Sequence, residues 1–72
     1  MPHITVQMYS GRDDETKKRL ALALQETAAK ELGKGKEHFS VSIEDVPQEE
    51  WKTVYDKVKA DKNTIIQPGY EM

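Results

Sequence analysis

His3-Ile4-Thr5-Val6-Gln7-Met8-Tyr9 and Phe39-Ser40-Val41-Ser42-Ile43-Glu44-Asp45-Val46 are the stretches that decide the fold. In the first, Ile4, Val6 and Met8 alternate with His3, Thr5, Gln7 and Tyr9. In the second, Phe39, Val41 and Ile43 point one way and Ser40, Ser42 and Glu44 the other. A period of two is the signature of a strand with one buried face. Pro2, which has no N–H to give to a ladder, stands just before the first stretch, where a strand tolerates it. The segment between the two strands is too long for a hairpin and of the right length for a helical crossover. Strand, helix and strand in that order predict a βαβ unit with parallel strands and a right-handed connection.

The residues between the strands carry the start and stop signals of that helix. Ser10-Gly11-Arg12 reads as a turn, and Asp13 as the N-cap, with Asp14 and Glu15 in a first turn where the helix dipole favours negative charge. Leu20, Leu24, Ala28 and Leu32 recur every fourth residue, and Ala21 and Thr27 widen the stripe. Lys17, Lys18, Arg19, Glu26, Lys30 and Glu31 cover much of the rest, and Gly33 and Gly35 stop the helix. Beyond the second strand, Pro47 suits the first position of a shorter helix. Its apolar face is Trp51, Val54, Tyr55 and Val58, and it fades near Ala60. Asn63 marks a turn, Ile65-Ile66 a short extended piece, and Pro68-Gly69 a last turn before Tyr70. The expected fold class is α/β (α+β), with residues 1–72 forming one domain.

A chain of 72 residues buries a modest core, and small domains need a further source of stability. There is no cysteine for a disulfide or a thiolate metal site, and His3 and His38 lie too far apart to make a metal-binding spacing. Association of subunits is the remaining device. Two parallel strands also leave open edges and an uncovered face. Pairing two subunits gives a four-stranded sheet with helices on one face, and the other face is free to meet a further subunit. The net charge of −2, with charges of both signs interspersed, gives no reason to expect nucleic acid or an anionic membrane as partner. No apolar run spans a bilayer and the N-terminus lacks the pattern of a signal peptide, so a cytoplasmic protein is expected.

Pro2 is the residue with the most chemical potential. If Met1 is removed, its nitrogen becomes a secondary amine. With Met1 in place the same nitrogen is an amide with no usable lone pair. An α-amino group titrates near 7.7–8.0, and burial or nearby positive charge lowers that value. Such an amine meets the requirement that a general base titrate near the working pH. A Met-Pro start alone is common and carries little weight.

Further residues add to it. Met-Pro-His-Ile, then Gly11-Arg12-Asp13-Asp14-Glu15-Thr16-Lys17, Asp45-Val46-Pro47 and Trp51, in that order, resemble the 4-oxalocrotonate tautomerase family. The ending Gln67-Pro68-Gly69-Tyr70-Glu71-Met72 is similar to the tail of the PptA-like bacterial members. The resemblance covers essentially the whole chain. It implies an isomerase without metal or cofactor that interconverts the enol and keto forms of a small 2-oxo acid, with Pro2 as the base. It implies that Arg12 binds the substrate carboxylate, a task suited to the guanidinium fork. It places Ser40 where the hexameric enzymes carry a second arginine. A serine brings a hydrogen bond but no charge, which moves the expected substrate from a dicarboxylate toward an aryl or monoacid compound. Trp51 aligns with an aromatic wall of the site and is equally suited to a core or subunit contact. The implied assembly is a homo-oligomer, with a dimer favoured over a hexamer.

Other residues carry plainer readings. His3 alternates away from Pro2 and reads as structural or surface, His38 as exposed, and Tyr55 and Tyr70 as lesser candidates for the site wall, each more often a packing residue with a satisfied hydroxyl. Two other functions fit the same residues. One is hydration or dehalogenation of unsaturated acids, with Glu44 activating water. The other is a non-catalytic module that self-associates.

Overall fold

The alternation at the start of the chain forms strand β1 (His3–Tyr9), and its counterpart forms strand β2 (Ser40–Val46), in a computed structural model that describes residues 1–72. The strands are parallel, in a register running from His3 opposite Ser40 to Tyr9 opposite Val46. The ladder continues past both ends: Ser40 N–H donates to the Pro2 carbonyl at 3.3 Å, and Ser10 N–H to the Val46 carbonyl at 3.2 Å. The crossover is helix α1 (Asp14–Leu32). Asp13 caps it by accepting a hydrogen bond from Thr16 N–H at 2.8 Å, and Gly33 ends it in the left-handed conformation at φ 67°. Only glycine adopts that conformation without a steric penalty. The parallel sheet, the long crossover helix and the shorter second helix are those expected.

Helix α1 covers the face that carries Ile4, Val6, Met8, Val41 and Ile43, all half-buried. Lys17 on α1 reaches Asp45 of β2 at 2.9 Å, and the Gln25 amide donates to the carbonyls of Lys36 and Phe39. The covered stripe of the helix is rotated from the expected one. Leu20, Ala21, Leu24, Gln25, Ala28 and Ala29 face inward, whereas Leu32 is 59% exposed and Thr27 is exposed. Gln25 lies on this inward stripe, where its amide ties the helix to the backbone entering β2. That entry is itself a 3-10 turn, Lys36–His38, so β2 begins at Ser40 and Phe39 sits just before it as the most buried residue, 4% exposed.

A second 3-10 turn, Gln48–Glu50, joins β2 to helix α2 (Trp51–Ala60). Pro47 is therefore extended (φ −58°, ψ 145°) and precedes this turn instead of opening the helix. Trp51, Val54, Tyr55 and Val58 form the inward stripe as predicted, with Tyr55 buried and the other three half-buried. They do not join α1 on its face of the sheet. Tyr9 and Val46 alternate to the opposite face, and the Tyr9 ring meets Trp51 edge-on at 5.0 Å. This departs from the expected placement of helices on one face. The remainder of the open face is polar, with His3, Thr5, Gln7, Ser40, Ser42 and Glu44, so its apolar Tyr9/Val46 end is where an apolar helix stripe can dock.

After α2 the tail folds back. Asn63 N–H bonds to the Asp61 carboxylate and the Thr64 hydroxyl to the Val58 carbonyl. Ile65-Ile66 forms a bend and not an extended piece, with the two residues 94% and 88% exposed. Ala29, Phe39, Val46 and Tyr55 are the only buried residues. So small a core fits the argument that a lone subunit lacks stability and that its open sheet is suited to association. No helix is long and apolar enough to cross a membrane.

Candidate active site

The sequence singles out Pro2, Arg12, Ser40 and Trp51. The fold gathers them into two groups at opposite ends of the sheet. Pro2 and Ser40 lie together where both strands begin, joined by the hydrogen bond from Ser40 N–H to the Pro2 carbonyl. Arg12 and Trp51 lie together where the strands end. Six residue steps of β1 separate the ends, roughly 20 Å at the rise of a parallel strand. Within one subunit Arg12 therefore does not stand beside Pro2.

At the first end Pro2 is exposed and preceded by Met1, which is 94% exposed. Ser40 is not free. Its hydroxyl lies 2.6 Å from Nδ1 of His3, and Nε2 of the same ring lies 3.0 Å from the Ser42 hydroxyl. A neutral imidazole donates from one nitrogen and accepts at the other, so it satisfies both serines at once. His3 is exposed and makes a surface contact, as expected, but its link to Ser40 depends on the register of the sheet. Period-two alternation alone does not fix that register. Glu44 accepts from the Gln7 amide at 2.6 Å and stands four residues along β2 from Ser40, about 13 Å away.

At the second end a cleft of about 400 Å³ is lined by Gln7, Met8, Tyr9, Arg12, Trp51 and Tyr70. The turn after β1 delivers Arg12. Gly11 in that turn has φ 122°, a conformation L side chains rarely adopt, which brings the chain round to the Asp13 cap. Hydrogen bonding from the Thr16 side chain, and after it from the Thr16 N–H, holds the Asp13 carboxylate below the usual carboxylate range, so this neighbour of Arg12 stays ionised and committed to the cap. One turn along, the Asp45 carboxylate raises the Lys17 ammonium and keeps that cation on the α1 face. Arg12 is the only cationic side chain lining the cleft.

The apolar wall is built by mutual support. Trp51 packs edge-on against Tyr9 and donates its indole N–H to the Tyr70 hydroxyl at 2.8 Å. The Tyr55 hydroxyl donates to the Tyr70 carbonyl at 2.9 Å, and the two rings lie 5.3 Å apart. Tyr70 is thus held from α2 at its backbone, ring and hydroxyl. The apolar stripe of α2 pointed to Trp51 and Tyr55, but nothing in the pattern of the tail pointed to Tyr70 as their partner. A cation beside three aromatic rings suits a small organic anion with an apolar body: the guanidinium grips the carboxylate and the rings take the remainder.

Residues 2–62 match the family model described as tautomerase enzyme. A probable tautomerase of Xylella fastidiosa (strain 9a5c) is 38% identical over 73 aligned positions, which cover 97% of this chain and 89% of that relative.

Proposed function

The chain belongs to the tautomerase family, and from that premise we propose that it interconverts the enol and keto forms of a small aryl or monoacid 2-oxo acid, with the Pro2 amine as base. Cleavage of the Met1–Pro2 bond creates that base. The substrate carboxylate pairs with Arg12, and its apolar part lies against Trp51, Tyr9 and Tyr70. The Pro2 nitrogen takes the proton of the enol hydroxyl and delivers it to the adjacent carbon, so an O–H bond is exchanged for a C–H bond without any co-reactant.

The observation that carries this reading is the cleft where one arginine meets an aromatic wall at the far end of the strand that starts just after Pro2. Because roughly 20 Å of β1 lies between them, a complete site takes its base from one subunit and its cleft from another. The partner is then a second copy of this chain. The cation of the partner's cleft also disfavours protonation of the proline amine. Steady-state turnover of phenylenolpyruvate tests the mechanism. Pro2→Ala is expected to lower kcat/KM about 10²- to 10⁴-fold, and turnover equal to that of the parent refutes it.

A further inference from the structure

We infer that the Tyr70 hydroxyl is a catalytic hydrogen-bond donor to the substrate oxygen that gains negative charge during the proton transfer, and that Trp51 positions it. The inference rests on the proposed tautomerase reaction and deepens it. Loss of the enol proton leaves an enolate, whose oxygen needs a donor in the same cleft that holds the carboxylate. Arg12 is the only cationic side chain there, and in the proposed reaction it takes the carboxylate. One N–H of the Gln7 amide goes to Glu44, which ties that side chain across to β2, and the Trp51 indole has a single N–H, which it gives to Tyr70. Of the two tyrosines lining the cleft, Tyr70 is the one with a fixed hydroxyl.

The geometry of that hydroxyl matters. Its oxygen accepts from Trp51 Nε1 at 2.8 Å, so its own proton is left for an acceptor in the cleft. A hydroxyl that already accepts is polarised and donates more strongly. The bond from Tyr55 to the Tyr70 carbonyl anchors the backbone, so the donor does not have to reorganise as charge develops. Tyr70 also lies outside residues 2–62, the part matched by the family model, so this donor belongs to the tail of this chain. The step transfers no net proton from Tyr70. The O–H bond of the enol breaks, the C–H bond forms through the Pro2 nitrogen, and the Tyr70 hydrogen bond strengthens and relaxes.

Tyr70→Phe tests the assignment, because it keeps the ring and the carbonyl that Tyr55 holds. Trp51 is the sole tryptophan, so a shift of its emission reports loss of the hydroxyl while circular dichroism verifies the fold. With phenylenolpyruvate, kcat is expected to fall at least about 10-fold with KM within about twofold. That is less than the loss on removing a fully enclosed donor, because Tyr70 is 49% exposed in the subunit. Trp51→Phe is expected to lower kcat by a smaller factor, and the two substitutions together by less than the product of their separate effects. An unchanged kcat for Tyr70→Phe in a protein that Pro2→Ala inactivates overturns the assignment and leaves the base in place. A raised KM at constant kcat also overturns it. Full activity of Pro2→Ala overturns the reading on which it rests.

Discussion

Mixing two inactive variants is expected to restore activity. Pro2→Ala replaces the secondary amine at one end of the sheet with a less basic primary amine, and Arg12→Ala removes the carboxylate partner at the other, with roughly 20 Å of strand between them. In the proposed assembly each site draws Pro2 from one subunit and Arg12 from its neighbour. If the variants are unfolded together in urea at equal concentration and refolded, half of the Pro2 positions are intact and half of the Arg12 positions are intact. Random pairing makes about one quarter of the sites complete. The mixture should therefore show about a quarter of parental kcat with the parental KM, though each variant alone is nearly inactive. The assay is phenylenolpyruvate turnover after refolding, with each variant refolded alone as a control. A mixture no more active than the average of the two controls refutes the shared site.

Three further outcomes are expected. Activity across preparations should scale with the fraction of chains lacking Met1 by intact mass, and a fully active protein that retains Met1 rules out Pro2 as base. The Asp45 carboxylate raises the Lys17 ammonium, so that pair stabilises the fold fully below the unfolded lysine value near 10.4 and less as pH rises through the higher folded value. The difference in melting temperature between the parent and Lys17→Met should accordingly be constant through neutral pH and shrink only in strong alkali; a difference already lost by pH 9 contradicts this sign. Phe39→Ala, which empties the most buried position, should cost about 3–5 kcal/mol in urea unfolding. That is a large share of the total for so short a chain, at about 0.05–0.15 kcal/mol per residue, and a loss under about 1 kcal/mol means the core lies elsewhere.

Local signals in this chain translate directly into structure. The alternation of residues 3–9, the Asp13 cap and the Gly33 stop each depend on a few neighbouring residues, and each is found in place. Features that depend on distant partners were less legible. The inward turn of Gln25 requires the backbone at Lys36 and Phe39 as its acceptors. The docking of α2 on the opposite face depends on Tyr9 and Val46 being the only apolar residues there, which becomes visible only once the register is known. The same holds for His3 and Ser40, which face each other by register and not by proximity in sequence. The separation of Pro2 from Arg12 was readable in principle, because the strand between them has a fixed rise. The tail offered the least: Tyr70 gains its setting from two aromatic residues of α2, and no periodicity announces it.

Strand β1 joins the two groups, with the proline at its start and the arginine just past its end. In a shared-site assembly it acts as a ruler between two reaction centres. Deleting one of its seven residues shortens the spacing by about 3.3 Å and flips every later side chain to the other face. The damage reaches two centres at once, because the altered subunit gives its base to one and its cleft to another. Such a lesion is dominant in a mixed population: a defective copy spoils sites in which its healthy neighbour also has a share. In such an assembly the length of this strand counts twice per subunit.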